Sequence, residues 1–178
     1  MPLDRTACHC VVRRHVNDPD PRTRLFVDTL EQHGRQVVLI PADDRGPGWA
    51  RTVGLWRRHR VPELAMFGWD VRQMQVVLND LGRRAVAEGQ PLDSGRERRD
   101  VGSDPVVLEP VDHRWYRVFF GTAIGSYGRP PLPFRQVVRP DRDGVFSWQP
   151  GGEGLLHHQP GLWLRPEQHP VGVRMQDV

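Results

Sequence analysis

The chain has 178 residues, 38% of them hydrophobic, and a mean hydropathy of −0.57. That profile suits one globular domain with a core that needs no covalent staples, and no apolar run approaches the ~20 residues of a transmembrane helix. The formal charge of +3 comes from 25 basic and 22 acidic residues, and every basic residue is arginine. So small an excess, with acids interspersed, describes a mixed solvated surface and argues against a dedicated nucleic-acid binder. Guanidinium groups do suit bidentate contacts to carboxylate or phosphate.

Residues 1–20 form a lead-in with Cys8-His9-Cys10, where alternation places Cys8, Cys10 and Val12 on one face of a short strand. Only two cysteines occur, and no apolar leader is visible near Met1. The reading is a cytoplasmic protein with free thiols. Asp20 caps a helix that has Pro21 at its first position, Phe26, Leu30 and His33 at helical spacing, and Gly34 as its stop. Gln36 to Ile40 is a short strand closed by Pro41, and Ala42 to Gly48 is a turn-rich loop.

Two apolar runs follow. Arg51 to Leu55 is a strand in which Gly54 marks a bulge or a close backbone approach. Glu63 to Phe67 is apolar on both parities apart from Glu63 itself, the pattern of a strand buried on both faces. Trp56 to Arg60 reads as an arginine-rich connector between them.

The strongest helical signal begins at Asp70, with Gln73 completing a capping box. Val71, Met74, Leu78, Leu81 and Ala85 then recur at steps of three and four, and Gly89 takes the C′ position. Gln90 to Asp104 is a polar excursion. Val106 to Val111 is a strand that Pro110 places near an edge, and Asp112 caps an aromatic helix running through Tyr127. Gln136 to Arg139 reads as one arm of a hairpin that turns at Pro140 to Gly144 and returns through Val145 to Trp148. The 17 prolines and 18 glycines crowd towards the C-terminal part, where periodicity fades.

The succession of motifs resembles a bacterial family catalogued as domain of unknown function 4262. The residues that carry the resemblance are His33-Gly34, Thr52-Val53-Gly54-Leu55, Pro62-Glu63-Leu64 with Phe67-Gly68, Leu78-Asn79 and Gly89, then Tyr116, Ala123 and Tyr127. Gln136, Pro140-Asp141, Gly144, Phe146, Trp148, Pro150 and Gly151 complete it, so that it spans roughly residues 22–163. Arg51, Val61 and Arg139 depart from the residues usual at their positions in that family. The resemblance implies no activity, cofactor or catalytic residue.

Candidate chemistry therefore rests on the residues alone. Glu63, at the mouth of an apolar strand, is either a general base with a raised pKa or a salt bridge or strand-end cap that fixes the connector, and the second reading is favoured. His157 and His158 are further candidate bases. Trp49, Arg51, Thr52, Trp56, Arg57, Arg58 and Arg60 form a basic and aromatic cluster able to pair and stack an anionic ligand. Tyr116, Tyr127 and Gln136 are candidates to line a cleft beside it. No metal is favoured. Cys8, His9 and Cys10 are the candidate ligands for zinc, but zinc sites favour wider cysteine spacing.

The expected architecture is a single α+β domain at 21–163, with a small, mainly antiparallel sheet, two or three packed helices and a tail at 164–178. The expected function is a binding or accessory domain for a small acidic ligand or a protein partner. The alternative is a cofactor-independent, hydrolytic enzyme with Glu63 or a histidine as base, and nucleic-acid binding ranks third.

Overall fold

The computed structural model describes residues 21–44, 46–102, 104–127 and 132–169, apart from the side chains at 22–23 and 122–127. Cys8, His9 and Cys10 lie outside the described residues, as does the side chain of Tyr127. Four helices and six strands follow in the order α1 (Pro21–His33), β1 (Gln36–Ile40), β2 (Trp49–Val53), α2 (Leu55–His59), β3 (Glu63–Phe67), α3 (Val71–Glu88), β4 (Glu97–Arg98), β5 (Val106–Pro110), α4 (Tyr116–Tyr127) and β6 (Phe134–Val138). Short 3₁₀ turns cover His113–Trp115, Glu153–His157 and Pro166–Gln168.

The strands form one sheet in the order β1-β2-β3-β6-β5-β4. Neighbours are antiparallel except β3 and β6, which run parallel with Glu63 opposite Phe134. The α+β class and the mainly antiparallel sheet follow the sequence reading. β3 lies inside the sheet and all five of its residues are buried. Its apolar residues on both parities explain the two-layer cover. Leu64 and Met66 pack with Met74, Leu78 and Leu81 of α3 on one face. Ala65 and Phe67 pack with Leu30 of α1 and with Trp115, Phe120 and Phe134 on the other. Full burial of each such Leu, Met or Phe contributes about 1.5–3 kcal/mol.

Local signals act as expected in the best-formed helix. The Asp70 carboxylate accepts from the backbone N–H of Arg72 and Gln73 at 3.1 and 3.0 Å, and Gly89 closes α3 in the left-handed conformation. Gly34 ends α1 in the same way, with φ of 74°.

Three local expectations are corrected. The connector after Gly54 is the helix α2, ended by Arg60 at φ 59°, because a distant side chain satisfies amides at its start. The returning arm at Val145 to Trp148 is not a strand. Both edges of β6 are already occupied, by β3 and β5. Meanwhile Asp141 accepts from Asp143 and Val145, and Gln149 Oε1 accepts from Phe146, so the turn satisfies its own donors. The polar excursion contains the edge strand β4, which pairs with only Val106 and Val107 and leaves Pro110 beyond its reach.

Candidate functional site

Glu63 is fully buried, and its carboxylate joins two chain segments. Oε1 accepts from the backbone N–H of Gly54 at 2.9 Å and of Trp56 at 3.1 Å. Oε2 accepts from the Thr52 hydroxyl at 2.6 Å, and that hydroxyl accepts in turn from the backbone N–H of Leu64 at 2.8 Å. A helix leaves its first amides without intrahelical partners. Here a carboxylate from the next strand supplies the acceptor and so ties α2 to β3.

This tie positions a second contact. Gly54 has φ of 111°, and a Cβ there would collide with the Gly34 carbonyl and stand 2.8 Å from Arg35 Cα. A Cβ on Gly34 would in turn stand 2.6 Å from Arg58 Cδ. The two glycines let the α1–β1 corner sit directly on the β2–α2 corner. Thus His33-Gly34, Thr52 to Leu55 and Pro62 to Leu64, far apart in sequence, meet at one place.

Beside this junction lies a recess of about 480 Å³. Thr29 and His33 of α1, Arg35 of the corner, Gln36 and Val37 of β1, and Gln75 and Asn79 of α3 line it. Its side chains are polar except Val37, and none is acidic. Gln36 Nε2 is buried with no hydrogen-bond partner among the described residues. The Arg35 side chain runs across α3 where Gly82 leaves room, and a Cβ at Gly82 would lie 3.5 Å from its Nε. Among the described residues no carboxylate pairs with Arg35. Burial, and after it the charge of Arg83, lower the Arg35 pKa. Burial, then Arg58 and Arg35, hold the neighbouring His59 below its ordinary value of about 6.5. Positive charge is thus concentrated at the junction.

The anticipated site residues distribute differently. Arg51 and Thr52 are buried in β2, at 5% and 1% exposure. Trp49 stacks on Phe67 at 5.3 Å and packs edgewise on Phe119 and Phe120, within the core. Trp56 is half-buried, and the Arg60 guanidinium lies over its ring at 5.6 Å. Arg57 is half-buried and Arg58 exposed on α2, with Arg58 reaching Gly34. The Tyr116 hydroxyl accepts from the Phe134 N–H at 3.1 Å, and burial pushes its pKa up.

Gln136 is fully buried, donating to the Pro160 carbonyl at 2.7 Å and accepting from the Leu162 N–H at 2.9 Å. It anchors the segment after the sheet, whose continuation is held where the Trp115 indole donates to the Leu164 carbonyl at 2.7 Å. His157 and His158 are exposed around a 3₁₀ turn. Among the described residues no group of three or more His, Cys, Asp or Glu could hold a metal ion. Nor is any described helix long and apolar enough to cross a membrane.

Thr29, Arg35, Gln36 and Gln75 were not anticipated as site residues. The only sequence-level hint to this recess was that His33 and Asn79 stand among the motif residues.

Fold and junction together define a single α+β domain in which a buried carboxylate and two facing glycines shape a polar recess at the sheet edge. A family model described as a domain of unknown function (DUF4262) matches residues 29–153, and the chain belongs to that family. No curated protein and no solved structure matches it.

Proposed function

We propose that the chain is a binding domain that takes a small acidic ligand into the recess between α1, β1 and α3. One observation carries this reading: Arg35 enters a recess with no acidic lining residue and has no carboxylate partner among the described residues. A half-buried guanidinium without a counter-charge favours an anion, and a cavity of this size lies within the usual range for small-molecule sites. Engagement of both Glu63 oxygens inside the fold supports a positioning role for Glu63 over that of a base. Several surface arginines are paired with acids, as in Arg84–Asp80, Arg84–Asp100 and Arg114–Asp112, which supports a discrete ligand over a nucleic-acid track.

The test is calorimetric titration of the full chain with an anion panel containing inorganic phosphate, acetate, citrate and glucose 6-phosphate. At least one member is expected to bind, and Arg35→Gln is expected to abolish that binding with the fold intact. Binding that is indifferent to Arg35→Gln would overturn the reading.

A further inference from the structure

We infer that the recess recognises a compact polyhydroxylated anion, meaning a sugar phosphate or a sugar acid. The inference rests on the anion-binding reading above and names the ligand class for that site. Arg35 supplies the positive charge and His33 an imidazole beside it, while three carboxamides, Gln36, Gln75 and Asn79, make up much of the rest. A bare carboxylate only accepts hydrogen bonds and inorganic phosphate keeps just one or two P–OH donors near neutral pH, so much of the carboxamides' acceptor capacity would go unused on either. A carboxamide offers a donor and an acceptor side by side, and so does a pair of neighbouring hydroxyl groups, each of which also donates and accepts.

Gln36 Nε2 has no hydrogen-bond partner among the described residues, but the atom is closed to solvent, so the recess-facing amide chemistry rests on Gln75 and Asn79 with the rest of Gln36. The lining also carries no Phe, Tyr or Trp. Bases held without strand pairing are usually gripped by stacking on such rings, so the composition disfavours a nucleobase. The volume of about 480 Å³ is far more than an inorganic ion fills and accommodates a sugar-sized molecule.

The two sources of this chemistry separate by titration of the full chain with glucose 6-phosphate and with gluconate. Inorganic phosphate and acetate serve as bare anions, and glucose as the uncharged polyol. At least one polyhydroxylated anion is expected to bind tenfold or more tightly than the bare anion bearing the same charged group, and more tightly than glucose, a difference of about 1.4 kcal/mol or more. Which of the two binds more tightly identifies phosphate or carboxylate as the charged group. Arg35→Gln is expected to abolish binding. Asn79→Leu is expected to remove the advantage over the bare anion while leaving the weaker anion affinity.

Melting curves of both variants establish that they are folded, and Gln75→Leu replaces Asn79→Leu if the latter is not. Equal affinity for glucose 6-phosphate and inorganic phosphate, both lost in Arg35→Gln, would overturn the polyol inference and leave the anion site standing. Failure of every probe, or binding untouched by Arg35→Gln and Asn79→Leu, would overturn both.

Discussion

Gly54 lies against the carbonyl of Gly34 so closely that no side chain fits between them. Its φ of 111° is a conformation that residues with a Cβ rarely adopt. Glu63 holds the Gly54 amide from the other side at 2.9 Å. The contact is therefore fixed by backbone conformation, by a close approach and by a buried carboxylate acting together, and Gly34 stands in the chain between His33 and Arg35, which line the recess.

Gly54→Ala is expected to destabilise the domain by at least about 2 kcal/mol, because strain at positive φ adds to a clash with backbone that cannot swing away. Urea unfolding monitored by tryptophan fluorescence reads this directly. A loss within 0.5 kcal/mol would mean that the α1–β1 corner shifts freely, contrary to the packing described.

Glu63→Gln is expected to cost about 1–3 kcal/mol, since the carboxamide oxygen can keep the Gly54 and Trp56 amides but the charge-assisted bonds are lost and the NH2 replaces the oxygen that accepts from Thr52. Thr52→Val, nearly isosteric, should cost about 1–3 kcal/mol by stranding the Leu64 N–H and one Glu63 oxygen. Thr52→Ser keeps the hydroxyl and should lose less than Thr52→Val. If Glu63→Gln unfolds at the wild-type denaturant midpoint, Glu63 is not the structural cap described.

Gly82→Ala is expected to stabilise the domain by about 0.5–1 kcal/mol, the usual gain from replacing glycine inside a helix. Its added Cβ would meet Arg35 Nε at 3.5 Å and Leu55 Cδ2 at 3.6 Å, which is ordinary contact distance. A drop in melting temperature would show that Arg35 is held more rigidly against α3 than these distances indicate.

Stability should depend on pH through His59. Its folded pKa is lowered by burial, then by Arg58 and Arg35, so between the folded and unfolded values the unfolded chain binds more protons. Stability then rises with pH across that window and is lost as pH falls from about 6.5 towards the folded pKa. Denaturant midpoints measured between about pH 5 and pH 7 should climb in the wild type and climb less in His59→Gln. Identical slopes in the two proteins would exclude His59 as the source.

Much of the architecture was legible from local patterns because those patterns carry their own physics. The capping carboxylate of Asp70, the three- and four-residue apolar steps of α3 and its closing Gly89 predict that helix without a partner. Apolar residues on both parities of Glu63 to Phe67 likewise require cover on both faces, which α3 on one side and α1 with α4 on the other provide. The hairpin after β6 was misread because turn chemistry at Asp141 says where a chain reverses, and cannot say whether a sheet edge is still vacant.

The sequence by itself determined the class of fold, the identity of its best-formed elements and the places where only glycine would serve. Periodicity, capping and backbone sterics act over a few residues, and these properties are theirs to decide. It also marked Glu63 as a carboxylate in an apolar strand and arginine as the carrier of charge. Only the tertiary structure decided what Glu63 holds, that Arg51 is buried while Arg35 enters a recess, and that Thr29, Gln36, Gln75 and Asn79 share that recess. Those relations are set by how β1 meets β2 and α3 across long sequence separations, and no short window of the chain contains that information.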